Sequence, residues 1–489
     1  MFPLPINEKP FYNTDAIAEA LSATDMFDCY LEPVPGVGFV TRRRPGLLPF
    51  TDTLTGTPGD GIFWWDAANK CIAVSGGRVY DVNQDGSIND MTGDAPSIGV
   101  PCIFSDGQQL DGTPFLYIAN GKLIYSINGA ATVSPTDANT PAATHVDWID
   151  DHFVANIPGT PRFVATDTNL VTGLLDNTFW SSTINPFRNT ARGDNIKALR
   201  TCWEEIYVWG GEALEVWQND YVTPFSSIPS AEAEVGLEAP YSICRTKNTL
   251  FALCVLDKKR VVVALQGRAP MVVSEPIAAL LADMPTVSDA IGDLITVGGV
   301  NIYLLSFPSA NQTWAYDHKN DVWCRWGYYT GEGDERDRFI GQHSCFCKAW
   351  NKHLVQSRID GKIYELSRTA YDDAGTLMVP YRRTGWLDVS VASGGGQAAP
   401  TDHRKRCQQL YIKGKPGLKS DSSTKLLMRY QDDGRDEWST YTELNFQGES
   451  IERLTRQGTF RTRRYEFRIP SGIDAVLVSA KGSFEELKN

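Results

Sequence analysis

An all-β protein is predicted: a β-propeller of six or seven blades followed by a C-terminal β-sandwich-like domain. Three observations predict it. Aromatic and β-branched residues fall in short runs, and 42 glycines and 27 prolines punctuate the 489-residue chain, which favours many strands joined by turns over long helices. Groups of such runs recur every roughly 40–50 residues, the size of one four-stranded propeller blade. Beyond a glycine-rich stretch at 391–400 the strands alternate more cleanly and the charge balance changes sign.

The clearest unit lies at 313–326. Trp314, Tyr316 and Asp317 form one aromatic strand, His318 to Asp321 form a polar turn, and Val322, Trp323 and Trp326 form the next strand. A glycine-entered strand, Gly361-Lys362-Ile363-Tyr364-Glu365-Leu366, follows the same logic. Looser copies start at Gly61, with Ile62, Phe63, Trp64 and Trp65, and continue through segments near 115–125, 146–165, 196–217, 241–265 and 294–326 to a last one at 345–366. A blade buries both faces only by stacking on its neighbours, so a radial ring is the expected solution. A pair of β-sandwich domains is the competing architecture.

Around this ring the chain divides into a lead-in (1–60), the propeller (61–390) and the C-terminal domain (401–489). In the lead-in, Asp15 can cap a short helix over 16–23. Arg42, Arg43 and Arg44 precede Pro45, and they read as a solvated or interface-facing turn in preference to a phosphate site. Residues 275–284 have a helical pattern, with Ser274 as N-cap and Pro276 in the first turn. In the C-terminal domain, Tyr465, Phe467 and Ile469 alternate with Arg464, Glu466 and Arg468, so apolar and charged residues take opposite faces.

Charge narrows the function. The net charge is −13, and residues from 401 onward carry 17 Lys/Arg against 13 Asp/Glu, which puts −17 on the first 400 residues and +4 on the rest. An acidic ring repels phosphate backbones, so tight nucleic-acid binding by the whole surface is not expected. The ten cysteines lack framework spacing and several lie in apolar runs, as buried free thiols in a reducing compartment would. No signal peptide is expected at the N-terminus, and no apolar run reaches membrane-spanning length.

Candidate chemistry is sparse. Asp81, Asn83, Asp85, Gly86 and Ile88 match the start of a calcium loop, but Thr92 stands where a bidentate carboxylate belongs. The same residues suit an Asp-Gly hairpin turn, the preferred reading, with calcium binding left open. His343, Cys345 and Cys347 are close in sequence, yet they lack the paired spacing of a zinc site and equally fit a buried strand. Asp432, Asp433, Gly434 and Trp438 are similar to an Asp-box hairpin without its leading serine, which is a folding unit. The six histidines, His145, His152, His318, His343, His353 and His403, fall in no hydrolase, zinc-protease or phosphate-loop motif. Exposed tryptophans such as Trp64 or Trp326 could stack on sugars, and carboxylate pairs for glycoside cleavage are assembled only by folding. No catalytic, cofactor-binding or metal-ligating residue is assigned, and no cofactor is expected.

The order Cys29-Tyr30-Leu31-Glu32, Arg44-Pro45-Gly46-Leu47 and Gly77-Arg78-Val79-Tyr80 resembles the tail hub (nozzle) proteins of short-tailed phages, also called packaged DNA stabilisation proteins. The Trp314-x-Tyr316-Asp317…Trp323 unit, Gly361-x-Ile363-Tyr364 and Asp433-Gly434…Trp438 look like the same family. The resemblance implies a homohexamer below the portal and adaptor rings, surrounding double-stranded DNA, with tail fibres or spikes and a distal plug or needle attached. It implies a virion component made in the host cytoplasm and no enzyme. The rival from another class is a glycan-binding or glycan-hydrolysing propeller.

Overall fold

The computed structural model describes residues 2–4, 6, 9–10, 12, 25–36, 38–51, 54, 56–168, 175–180, 194–220, 225–297, 299–331, 336–387, 403–415, 426–444, 451–469 and 476–487. The helix expected over 16–23 and the glycine-rich stretch at 391–400 lie outside them.

Seven antiparallel sheets follow one another along the chain. Blade 1 comprises Gly59–Trp65, Lys70–Ser75, Arg78–Val82 and Ile88–Asp90. Blade 2 comprises Ile103–Gln108, Pro114–Ala119 and Leu123–Ile127, and a bridge from Tyr125 to Val133 marks its outer edge. Blade 3 runs from Val146–Ile149 to Leu175–Trp180, and blade 4 from Ala198–Cys202 to Ser226–Ser227. Blade 5 centres on Leu250–Leu256 and Lys259–Gln266. Blade 6 comprises Ile291–Val297, Val300–Phe307, Gln312–Asp317 and Val322–Tyr329. Blade 7 comprises Gly341–Cys347, Lys352–Ser357 and Ile363–Ser367, and its fourth strand is Gly46–Thr51 from near the N-terminus. The ring thus closes by hydrogen bonds between strands about three hundred residues apart, Leu366 opposite Leu47 and Tyr364 opposite Pro49.

Period-two alternation explains why these strands are apolar on both sides. In Gln312–Asp317, Trp314 and Tyr316 enter the core between blades 5 and 6, while Ala315 enters the core between blades 6 and 7. The next strand repeats the pattern, with Trp323 on the first face and Val322, Cys324 and Trp326 on the second. A separate apolar cluster fills each of the seven seams. The last of these packs Ile62, Trp64 and Cys71 of blade 1 on Cys347 and Leu354 of blade 7. Trp64 and Trp326 are therefore core residues, 7% and 1% exposed, and offer no face to a sugar.

Two glycines show how tightly the closing seam is drawn. Gly361, at φ +70°, would place a Cβ 2.5 Å from Ser75 Oγ and from the Thr57 carbonyl of blade 1's entry. Gly86, at φ +85° in the outer hairpin of blade 1, would place one on the Phe50 carbonyl of the closing strand at 2.1 Å.

The expected helix near 275–284 is a 3₁₀ turn, Glu275–Ile277, followed by the α-helix Ala278–Asp283. Ile277 and Leu281 plug the seam between blades 5 and 6. Ser274 does not cap it. Its hydroxyl instead accepts from the Val262 N–H at 2.9 Å, because the buried sheet needs that acceptor more than the solvent-facing turn does.

Two further sheets form a sandwich over one apolar core containing Leu410, Ile412, Met428, Tyr465, Phe467 and Leu477. One sheet orders Cys29–Val34, Gly38–Arg43, Val476–Glu486, Lys405–Lys415 and Ile451–Thr455. The other orders Asp25–Phe27, Tyr381–Arg383, Arg463–Arg468, Leu426–Asp432 and Thr442–Leu444. Segments before residue 44 thus complete both C-terminal sheets, and Leu4 and Ile6 enter their core. The second sheet continues from the outer strand of blade 6, through the parallel pair Phe27 and Arg325.

Candidate functional site

Three places bring chemistry-bearing side chains together. The first is the propeller axis. The inner strands of the blades surround a cavity of about 200 Å³ whose polar lining includes Arg200, Arg245, Asp293, His343 and Ser344. Asp147 of blade 3 sits 3.6 Å from Arg200 and 3.5 Å from Arg245, and accepts from the N–H groups of Thr201 and Trp148. Burial works most strongly against its ionisation, yet the two guanidiniums hold its carboxyl below the usual range. Among the described residues Asp293 has no such guanidinium partner, and burial raises it to about 6. Burial pushes His343 down to about 4, so that imidazole is neutral at pH 7.

Ser344 Oγ lies 3.2 Å from His353 Nε2, the spacing of a nucleophile and a base. The rest of the constellation is wrong for catalysis. Burial pushes His353 down to about 4, and its Nδ1 has no hydrogen-bond partner among the described residues, where an orienting carboxylate would be needed.

The second place is the junction between ring and C-terminal sheets. Arg44 is fully buried, and each of its five N–H donors has an acceptor. Nε donates to Asp28 at 2.6 Å, and the two terminal nitrogens donate to Asp373 at 2.9 and 2.5 Å and to the carbonyls of Pro45 and Gly327. The guanidinium lies 4.7 Å over the Phe339 ring. Burial disfavours its charge, but the two carboxylates more than offset this and raise its pKa. Arg43 donates to the carbonyls of Ala370 and Arg368. Arg43 and Arg44 thus form an internal clamp, contrary to the solvated or interface-facing turn expected, because their acceptors approach only in the fold, while the partly exposed Arg42 pairs with Glu32.

From there a charge ladder crosses the strands. Arg325 of blade 6 donates to Asp25 at 2.7 Å, Asp25 also accepts from Tyr381 at 3.0 Å, and Arg383 sits 3.7 Å away. Arg383 reaches on to Glu466 at 2.6 Å, and Arg429 and Arg468 converge on the same fully buried carboxylate at 2.7 and 2.9 Å. Burial opposes the charge on Glu466, but the three guanidiniums hold its carboxyl below the ordinary range. Trp438 packs beside this ladder, under Arg383, Arg429 and Arg464. Asp432, also from the expected Asp-box turn, pairs with Arg463, and Asp433 accepts from the Arg461 and Thr462 N–H groups.

The third place is the closing seam. Cys345 and Cys347 do share one face of their strand, and Cys71 of blade 1 meets them there. The Cys71 and Cys345 sulfurs are 3.9 Å apart, and those of Cys345 and Cys347 are 3.8 Å apart. His343 is not in this group and lines the axial cavity instead. All ten cysteines are free thiols. The calcium-loop residues form a hairpin: Asp85 Oδ1 accepts from the Ser87 N–H and hydroxyl at 3.0 and 2.6 Å, Asn83 Nδ2 donates to Ser87, and Asp81 pairs with Lys70.

Sequence reasoning missed Asp28, Asp373 and Cys71, since each gains its partner only through ring closure or the junction. Among the described residues, no helix is long and apolar enough to cross a membrane.

Solved structures similar in shape include the Pan2 WD40 domain of Neurospora crassa (8% identity, 66% of this chain and 94% of that one, TM-score 0.38). Others are the N-terminal domain of Nup159 (10%, 73% and 97%, TM-score 0.36) and the extracellular domain of the putative one-component system BT4673 from B. thetaiotaomicron (9%, 91% and 62%, TM-score 0.41). No curated protein matches the chain. A family model does match, over residues 26–371, from the N-terminal strands through the closing blade, and the chain therefore belongs to the phage family described as Bacteriophage P22 Gp10, beta-propeller.

Proposed function

We propose that this phage structural protein forms a homo-oligomeric tube, a hexameric tail hub or nozzle. It retains packaged double-stranded DNA, lets it pass during ejection, and docks an adaptor ring above and fibres or spikes and a plug below. The observation that carries this reading is the family match spanning the whole ring. The physical character of the chain supports it. Most of the arginines that could grip phosphate at the junction are already committed to carboxylates within the chain. The first 400 residues carry a charge of −17 by the sequence count, so a wall built from them adheres weakly to DNA. In this proposal the ring, from Gly59–Trp65 of blade 1 to Ile363–Ser367 of blade 7 with the closing strand Gly46–Thr51, borders the DNA path. The C-terminal unit, 401–489 with the strands before residue 44, faces protein partners.

The test is reconstitution. Purified protein mixed with its portal–adaptor complex should assemble at sixfold stoichiometry by light scattering and retain DNA in filled heads that otherwise leak. Release of reducing sugar from host surface polysaccharide, with no assembly on the adaptor, would contradict it.

A further inference from the structure

We propose that Cys71, Cys345 and Cys347 form a binding site for a thiophilic d¹⁰ metal ion, Zn²⁺ or Cu(I), that locks the first and last blades together. These three sulfurs are the only group of potential metal-binding side chains, among the described residues, with all ligand atoms within 4.8 Å of one another. A metal with M–S bonds of about 2.3 Å and tetrahedral angles holds its sulfurs about 3.8 Å apart. Two of the three separations, 3.9 Å for Cys71 to Cys345 and 3.8 Å for Cys345 to Cys347, match that edge, and the third lies within 4.8 Å. They also exceed the S–S bond length of about 2.0 Å, so the three are free thiols in this structure.

The setting suits such an ion. Cys345 and Cys347 alternate on one strand of blade 7, so both side chains leave the same face, and Cys71 comes from the second strand of blade 1. Ile62, Trp64, Val82 and Leu354 surround the cluster, so the site is dry and of low dielectric. Cys71 and Cys347 are buried, and Cys345 is half-buried. Coordination displaces the thiol protons to solvent, and the cation supplies the charge that three clustered thiolates otherwise lack. Three ligands leave a fourth position for water or, with Cu(I), a trigonal site.

The location gives the metal a role. This seam joins chain segments far apart in sequence, where loop closure costs most. A cation ligated from both sides adds its binding energy to that closure alone.

Co²⁺ added to the reduced, chelator-treated full chain tests this. One equivalent should bind with a sulfur-to-cobalt charge-transfer band, and Zn²⁺ should displace it. Cys71→Ser and Cys347→Ser should each weaken binding at least about 100-fold, above the 10–100-fold typical of losing an outer-shell partner. Cys254→Ser, a buried thiol of blade 5, should leave binding unchanged. Alkylation of the unmutated chain, read by peptide mass spectrometry, serves if the variants misfold: Zn²⁺ should protect Cys71, Cys345 and Cys347 and leave the other seven unaffected. No thiolate band with all thiols reduced, a band that survives both substitutions, or equal alkylation with and without metal would each overturn the proposal.

Discussion

Between blades 5 and 6, Trp314, Tyr316 and Trp323 interlock with Phe251 and Leu253 across an apolar seam. At the nearby junction, Arg44 is held between Asp28 and Asp373, and Glu466 draws in three guanidiniums. The two regions are comparably buried but rest on different physics. A seam gains from area removed from water, which is non-directional and tolerates many side-chain combinations. The junction offsets the desolvation of its charges only with every partner in place. A degenerate repeat can therefore sustain seven seams, whereas the junction demands particular residues.

The sharpest way to break that contrast is Arg44→Met. It strands two buried carboxylates and should cost about 3–5 kcal/mol by chemical denaturation. Adding Asp28→Asn and Asp373→Asn should recover much of the loss, since no buried charge remains unpaired. A full loss in the triple variant would mean that shape, not charge, holds the junction.

Leu305→Ala, in the seam between blades 5 and 6, should cost about 2–4 kcal/mol. That cost should be the same at low and high salt and at all pH values where the chain folds. A salt-dependent loss would blur the distinction.

Gly361→Ala should cost about 1–3 kcal/mol, because a Cβ meets Ser75 Oγ and the Thr57 carbonyl at a left-handed backbone position. Hydrogen exchange should rise first in Ile363–Ser367 and Gly46–Thr51, the strands that close the ring.

The smallest effect isolates one axial charge. Burial raises the Asp293 carboxyl from 3.8 to about 6, so the fold prefers its protonated form. Its contribution to stability is complete below about pH 4 and is lost as pH rises through about 6. Asp293→Asn should therefore be more stable than the unmutated chain by about 1–2 kcal/mol above pH 7, after discounting for its partial contact with solvent, and show no gain at pH 4.

The same physics sets what was legible in the sequence. Trp314, Tyr316, Trp323 and Trp326 announce a blade because alternation is local. The six-residue helix Ala278–Asp283 was visible by its apolar pattern, but Ser274 was misassigned as its cap because its true donor, Val262 N–H, lies in a neighbouring strand. The closing strand Gly46–Thr51 was hidden, since its blade is completed at Ile363–Ser367 and nothing local links them. Arg43 and Arg44 were read as a turn because their acceptors come from residues 28 and 368–373. The pair Cys345 and Cys347 stood out on one strand, while Cys71, 274 residues away, became their neighbour only when the ring closed.

The most direct test of the whole account is a cryo-EM reconstruction of the assembled tail. It should show copies of this chain in a sixfold collar around the DNA path, each with seven radial blades and blade 7 completed by Gly46–Thr51. The lumen should be poor in unpaired Lys and Arg. An unclosed arrangement of sheets, or a lumen lined by basic side chains gripping the DNA, would contradict it.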